Sequence, residues 1–314
     1  MGLPIDRAIT EFLEYLEVER GRSPRTIRNY DFYLRRFATW AKHPDPSDIT
    51  DALVRRFRLW LNRSLPGRRD ETLKKNTQNY HLIALRAFLK FLARRDIKTL
   101  APEKIELAKQ STRTVEFLEA DELDRLLKAP FVKKDSLIRR RDKAILELFF
   151  STGLRVSELA NLHIDQINAA RDEFTVRGKG DKPRIVFLTP EAKSWMKQYL
   201  DLRLDTQPYL FVSHDRAREG RETVGPLTPR SIERMIQQYA KAVGITKRIT
   251  PHTMRHTFAT DLLLSGADIR SVQALLGHVS ITTTQVYTHI TNKQLKEIHH
   301  QFHGKTRKGK TKNS

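Results

Sequence analysis

The sequence contains no cysteine, so disulfide bonds, thiolate catalysis and cysteine-ligated metal sites are all excluded. Long apolar runs are also missing: AILELFF (144–150) is far shorter than the roughly 20 residues that a membrane span needs. The first residues, MGLPIDRAITEF, lack the basic and apolar segments of an export signal. These absences predict a protein of the reducing cytoplasm.

Acidic residues are scarce relative to basic ones: 37 Asp and Glu stand against 58 Lys and Arg, for a formal net charge of +21. Residues 304–314 hold five basic residues and no acidic one, which leaves +16 on the rest of the chain. This charge predicts a polyanionic partner, because each phosphate that a protein neutralises releases a condensed counterion. Ribosomal and membrane-surface proteins share the balance, so charge alone does not single out DNA.

The length of 314 residues predicts two domains. Residues 1–96 are predicted to form a small, basic domain of four helices, since their apolar residues keep helical spacing. Residues 97–114 have no strong apolar stripe and are predicted to be a linker. Residues 115–303 mix helical and strand patterns and are predicted to form the second domain. The basic tail at 304–314 is predicted to be disordered.

Helix starts are marked by hydroxyl residues, several of them followed by proline. Such a residue caps the first turn, and proline is preorganised for the first helical position. Starts are predicted at Ser23-Pro24, Thr50, Thr189-Pro190, Thr228-Pro229 and Thr250-Pro251. Helical spacing predicts further helices at residues 5–16, 76–94, 119–127 and 140–150.

The segment DEFTVRGKGDKPRIVFL (172–188) is predicted to be a β-hairpin around a glycine-containing turn. Phe174 and Val176 alternate before the turn, and Ile185 and Phe187 alternate after it. Lys179 lies between two glycines at the tip. A turn lysine is most often an ordinary surface residue, but one on a flexible tip could reach a minor groove or a leaving oxygen.

Arg155 follows a glycine turn in STGLRVSEL (151–159), close to a helix start. An arginine there is usually a solvated surface residue. The positive end of a helix dipole nevertheless favours anions over cations, so a phosphate clamp would explain the placement. Glu158, three residues later, could orient the guanidinium.

The segment TPHTMRHTFATDLL (250–263) places His252 and Arg255 three residues apart in the first turns of a helix, where backbone N–H groups also favour an anion. A zinc site built on His252 and His256 is the competing interpretation. It lacks the glutamate of that motif, since Thr253 follows His252, and no other ligand stands at a helpful spacing. We therefore expect no metal and no cofactor.

The stretch LLGHVSITTTQVYTHI (275–290) carries His278 just after a glycine that is suited to end a helix. Ser280 could cap a following helix that carries Tyr287. By itself, a tyrosine in such a place is more often a partly buried aromatic with a satisfied hydroxyl.

Taken together, two arginines, two histidines, a lysine and a tyrosine are the groups that phosphodiester chemistry without a metal requires. Guanidinium groups stabilise the charge on the non-bridging oxygens. Imidazoles can donate hydrogen bonds to those oxygens or accept the tyrosine proton. Neighbouring cations or a base would activate a tyrosine whose pKa is ordinarily about 10. A lysine could protonate the leaving 5′-oxygen.

Four segments, GLRVSEL, GKGDKPR, PHTMRHTFAT and LLGHVSITTTQVYTH, resemble the successive active-site boxes of the tyrosine recombinases, in that family's order and at its separations. Residues 11–40 are similar to the opening of the core-binding domain in the Xer branch. The resemblance covers nearly the whole chain. It implies a mainly α fold with a small antiparallel β-sheet, arranged as a two-domain, C-shaped DNA clamp.

The resemblance also implies a role for each candidate residue. Arg155 and Arg255 match the phosphate clamp, Lys179 the general acid for the leaving 5′-oxygen, and Tyr287 the nucleophile that forms a 3′-phosphotyrosine link. His252 and His278 match the histidines that contact the scissile phosphate, and Glu158 the supporting acidic residue. The candidate site residues are therefore Arg155, Glu158, Lys179, His252, Arg255, His278 and Tyr287.

The partners that the resemblance implies are double-stranded DNA and further subunits. A homo- or hetero-tetramer would exchange strands on two sites through a Holliday junction, with the helix at 291–303 docking on a neighbouring subunit. A DNA translocase could activate it. No segment before the first helix matches the arm-binding domain of many phage integrases, which favours a Xer-type resolvase of chromosome or plasmid dimers, associated with the nucleoid. A compact mobile-element integrase, a type IB topoisomerase and a catalytically silent DNA-synapsing protein are the alternatives.

Overall fold

A computed structural model describes residues 4–64, 72–109, 116–131, 135–168, 171–178, 182–214 and 225–277. The chain divides into two compact units, Met1–Thr112 and Arg113–Ser314. The described residues are mainly helical, with one two-stranded antiparallel sheet, so the predicted fold class is confirmed. Within them, no helix combines the length and apolar character that crossing a membrane would take.

The described residues of the first unit form four α-helices: α1 Ile5–Val18, α2 Pro24–Trp40, α3 Asp51–Arg63 and α4 Lys75–Ala93. Two predicted starts are confirmed, because the Ser23 and Thr50 side chains accept hydrogen bonds from the Thr26 and Leu53 backbone N–H groups. The four helices bury an aromatic core in which Phe12 packs on Phe88 and Phe37 packs on Phe57. The fully buried rings are Phe12, Phe37, Phe57 and Phe88.

The first half of the predicted linker packs onto this unit. Ile105 is only 1% exposed and belongs to the core of the first unit. Asn79 on α4 donates to the Ala108 carbonyl at 2.9 Å and accepts from the Ala108 N–H at 3.0 Å. The apolar residues of this segment lack helical or strand spacing, so periodicity gave no sign that they were buried.

The second unit contains seven described α-helices. They are α5 Ala120–Lys128, α6 Leu137–Thr152, α7 Val156–Ala160, α8 Pro190–Leu200, α9 Pro229–Ala242, α10 Pro251–Leu264 and α11 Ile269–Leu276. Thr189, Thr228 and Thr250 cap α8, α9 and α10 with their side chains, which confirms the predicted starts. Helix α6 is central and packs against both α8 and α10.

The predicted hairpin is present as β1 Glu173–Arg177 and β2 Pro183–Phe187. Directly paired residues share a face of the sheet, and Phe174 pairs with Val186 while Val176 pairs with Arg184. Ile185 and Phe187 are each 50% exposed, so the alternation read for the second strand is wrong by one residue. The inward positions of β2 are therefore occupied by Val186 and the arginine at 184.

Candidate active site

Gly153 ends α6 and directs the chain toward Arg155. Its φ of +60° is a left-handed conformation, and a Cβ there would lie 2.4 Å from Phe258 Cδ1. Both the backbone and the close approach of Phe258 therefore require glycine. Arg155 follows two residues later as the residue that precedes α7, with its side chain 27% exposed.

Glu158, in the first turn of α7, is bonded to Arg155 twice. Its Oε2 accepts from the Arg155 backbone N–H at 2.8 Å, and its Oε1 accepts from Arg155 Nη1 at 2.7 Å. The backbone contact is the returning half of a capping box, since a glutamate at the third helical position reaches the N-cap N–H. One carboxylate thus fixes both the helix start and the guanidinium.

Arg184 on β2 is the functional candidate that sequence reasoning missed. Its Nη1 and Nη2 donate to Glu158 Oε1 and Oε2 at 2.9 and 2.7 Å, and both side chains are only 7% exposed. This two-point pairing is the strongest geometry available to an arginine and a carboxylate. Through it, the hairpin is joined to the start of α7 and so to Arg155.

The pKa of Glu158 reflects this environment. Burial would raise the pKa, but hydrogen bonds from Arg184 and from the Arg155 backbone, together with the Arg184 charge, lower the pKa to about 2. The carboxylate is therefore ionised at every pH at which an enzyme ordinarily works.

Arg255 lies on α10 and is only 4% exposed. Its Nη1 donates to the Gly153 carbonyl at 2.6 Å, and its Nη2 donates to the Leu276 carbonyl at 2.5 Å. The guanidinium therefore joins three elements: α10, the turn after α6 and the end of α11. These two hydrogen bonds fix the plane of the guanidinium group without a bound ligand.

Three arginines converge on the last carbonyls of α11. Arg184 Nε donates to Leu275 O at 3.1 Å, Arg255 Nη2 to Leu276 O, and Arg155 Nη2 to Gly277 O at 3.3 Å. The carbonyl end of a helix carries partial negative charge, so this position favours cations. Arg155 and Arg255, far apart in sequence, are thereby brought to the same helix end.

Of the four remaining candidate residues, the structure describes only His252. His252 is exposed in the first turn of α10, one turn before the buried Arg255. Lys179, His278 and Tyr287 lie outside the described residues. Within the described part of the chain, no group of three or more His, Asp or Glu could hold a metal ion. The expectation of chemistry without a metal stays a prediction.

The candidate site lies in a part of the chain that matches a known protein family. The profile of the phage integrase family matches residues 116–294, which contain all seven candidate residues. The chain belongs to the phage integrase family. The profile of the phage integrase N-terminal SAM-like domain matches residues 9–96.

Relatives of this phage integrase family member align along nearly its whole length. Tyrosine recombinase XerC of Pelobacter propionicus is 37% identical over 313 residues, covering 97% of this chain and 97% of the relative. Tyrosine recombinase XerD of Chlorobaculum tepidum is 37% identical over 308 residues, covering 96% and 97%. The chain is accordingly a tyrosine recombinase, a DNA strand-transferase that acts through a tyrosine intermediate.

Solved structures of tyrosine recombinases share the fold. The crystal structure of XerA recombinase is 33% identical, covers 96% of this chain and 99% of its own, and superposes with a TM-score of 0.52. The Tn1549 transposon integrase, in complex with transposon right end DNA, is 18% identical, covers 94% and 99%, and gives a TM-score of 0.73. At that low identity, the second likeness shows the fold alone.

The Glu158 carboxylate gives the recombinase a testable pH dependence. Because its folded pKa is depressed from 4.5 to about 2, the stabilisation is complete above pH 4.5 and is lost as the pH falls toward 2. The shift corresponds to about 3 kcal/mol. We expect Glu158→Gln to lower the free energy of unfolding by about 3 kcal/mol at pH 7 and by less at pH 3.5, as denaturant titrations at both pH values would measure.

The control for this measurement is the exposed ion pair between Arg248 and Glu233, whose side chains are 74% and 41% exposed. Glu233→Gln is expected to change the free energy of unfolding by less than about 1 kcal/mol at pH 7. If the Glu158→Gln deficit were as large at pH 3.5 as at pH 7, the Arg184–Glu158 pair would not be the source of the stabilisation.

Proposed function

We propose that this tyrosine recombinase binds a specific double-stranded DNA site, cuts each strand with Tyr287 and rejoins it to a partner site through a Holliday junction. The observation that supports this most directly is the convergence of Arg155 and Arg255 on the end of α11. The chain leaves that helix end toward His278 and then Tyr287. The proposed nucleophile therefore follows, at a short distance in the sequence, the helix end at which the two guanidinium groups would bind a phosphate.

The proposed chemistry is a transesterification. The Tyr287 hydroxyl oxygen attacks the phosphorus, a P–O bond to the 5′-oxygen breaks, and a 3′-phosphotyrosine link forms. The tyrosine proton passes to an imidazole, for which His252 and His278 are the candidates, and Lys179 protonates the departing 5′-oxygen. Arg155 and Arg255 stabilise the charge that develops on the non-bridging oxygens.

We extend the proposal to a division of labour along the chain. Residues 1–96 would bind DNA, residues 97–114 connect, residues 115–303 catalyse, and the tail at 304–314 would contact DNA. A tetramer would assemble on two sites, with the segment at 291–303 docking on a neighbouring subunit, and a DNA translocase could activate it. The XerC and XerD names of the relatives support resolution of chromosome or plasmid dimers in the cytoplasm as the role.

Covalent trapping tests the proposal. The binding site is first selected from a pool of random-sequence duplexes, and a series of duplexes is then made with one nick at successive positions of that site. Cleavage next to a nick releases a short fragment, so religation fails and the protein remains attached. We expect a protease-sensitive adduct on a denaturing gel that carries the 5′-end label of the cut strand. Absence of an adduct for every nick position, or retention of the 3′-end label instead, would contradict the proposed chemistry.

A further inference from the structure

A group of aromatic and basic side chains occupies the surface of α2 and α4 in the first unit, and the catalytic chemistry makes no use of it. We call it the Arg36 cluster, and it consists of Phe32, Tyr33, Arg36, Tyr80 and His81. Phe32 is 52% exposed and Tyr80 is 53% exposed. Exposed aromatic rings beside an arginine are typical of a recognition surface, since the fold gains little from leaving them in water.

His81 anchors the cluster from below. It is only 1% exposed, and its ring centroid lies 4.4 Å from that of Tyr33. Its Nδ1 lies 2.9 Å from the Thr77 carbonyl, which can only accept, so the Nδ1 carries the proton. Its Nε2 lies 3.3 Å from Arg36 Nη1, which can only donate, so the Nε2 is an unprotonated acceptor. The histidine is neutral and in a single tautomer.

The pKa of His81 agrees with this geometry. Burial lowers the pKa below its ordinary value, the Thr77 carbonyl raises it, and the Arg36 charge lowers it again, for a net lowering. A protonated ring would present a second donor to Arg36 and would repel it. The neutral state is therefore the one that holds the arginine in place.

Arg36 is fixed on two sides and open on the third. Its guanidinium carbon lies 4.3 Å from the centroid of the Phe32 ring, which sets the plane of the group. The bond to His81 uses Nη1. Within the residues that the structure describes, the opposite edge, formed by Nε and Nη2, makes no hydrogen bond to protein. Two parallel donors on a fixed plane are ready to bind a matching pair of acceptors.

The surrounding helix face favours DNA as the ligand. Arg25, Arg28, Phe32 and Arg36 recur at helical spacing along one face of α2, and the first three are exposed. The acidic residue within this stretch, Asp31, is paired with Arg35 at 3.1 Å. This face of α2 is thus basic at both ends, and the aromatic ring of Phe32 lies between Arg28 and Arg36.

We propose that Arg36 reads a guanine in the major groove, that Phe32 contacts the methyl group of an adjacent thymine, and that His81 is the positioning residue for Arg36. A guanine offers O6 and N7 as two parallel acceptors, and a bidentate arginine is the commonest specific contact to it. A phosphate contact needs no such fixation, and the exposed Arg25 and Arg28 supply that kind of contact. The inference rests on the proposed function, in that the protein must bind a specific DNA site.

Selection from a pool of random-sequence duplexes tests the proposal. Wild-type protein is expected to enrich guanine at one position in each half of its site. Arg36→Ala is expected to lose that preference by roughly 10- to 100-fold while keeping its preferences elsewhere. The matched control is Arg28→Ala, which should weaken binding to all sequences alike. It should also reduce the slope of log affinity against log salt concentration by about one.

His81 is tested by two variants. His81→Gln offers an amide oxygen to Arg36 and is expected to keep the guanine preference, whereas His81→Leu offers no acceptor and is expected to lose it. Circular dichroism would establish that both variants fold. Because the comparison between them concerns one base position, a merely structural role for His81 would not produce the difference.

The outcomes separate the two proposals. If wild-type protein selects no sequence, the proposed site-specific binding fails. If wild-type protein selects a site and forms the covalent adduct, yet Arg36→Ala keeps the same base preference or loses affinity for all sequences equally, the assignment of Arg36 to a base is overturned.

Discussion

The variant Tyr287→Phe is expected to form no covalent adduct with the nicked duplexes on which the wild-type recombinase is trapped. Removal of the phenolic oxygen takes away the proposed nucleophile, and the expected loss of cleavage is on the order of 10⁶-fold, below detection on a gel. DNA binding is expected to be unchanged, since the arginines of the site and the basic surface of the first unit remain.

The matched control is Tyr209→Phe, in the same unit. Tyr209 is partly buried, with its ring centroid 4.7 Å from that of His163, and phenylalanine would keep this packing. The control is expected to form the adduct as the wild type does. An adduct formed by Tyr287→Phe at the wild-type rate would show that another residue attacks the phosphate.

Arg255→Ala is expected to lower the rate of strand cleavage on the order of 10³-fold, at protein concentrations that saturate the DNA. The change removes a positive charge from the proposed phosphate site, and it also leaves the Gly153 and Leu276 carbonyls without the donors that join α6 to α11. Arg255→Lys is expected to recover little, because one ammonium group cannot span two carbonyls and a phosphate in a fixed plane.

Single-turnover cleavage of the selected duplex measures this effect, and thermal unfolding of the same variants measures how much of it comes from lost stability. The control is Arg248→Ala, an arginine near the start of α10 whose side chain is 74% exposed. It should cleave within about twofold of the wild type, since a surface ion pair contributes little. Equal loss of cleavage for both variants would mean that the total positive charge of the protein, and not the position of Arg255 at the proposed phosphate site, is responsible.

Local sequence signals predicted most of the described helices, because a helix start depends on neighbouring residues. The Thr-Pro pairs at 189, 228 and 250 each combine a capping oxygen with a preset backbone angle, and all three open helices in the structure. Glycine at 153 and 277 likewise ends a helix with a positive φ. These features need no information from distant parts of the chain.

Arg184 could not be predicted in the same way. Its role depends on Glu158, 26 residues earlier in the chain, and on the Leu275 carbonyl, 91 residues later. The strand pattern also pointed elsewhere, because Ile185 and Phe187 are the larger apolar residues of β2, yet both face outward. Only the observed register, which pairs Val176 with Arg184, turns the arginine toward the site. Long-range pairing of charges leaves no periodic trace in a sequence.

Peptide mapping of the trapped adduct is the most direct test of Tyr287 as the nucleophile. Trypsin is expected to release a DNA fragment bound to the peptide at 271–293, which contains a single tyrosine, Tyr287. Mass spectrometry would then find the 3′-phosphate on that side chain. A DNA fragment bound to any other peptide, or to a serine or threonine within this one, would contradict Tyr287 as the nucleophile.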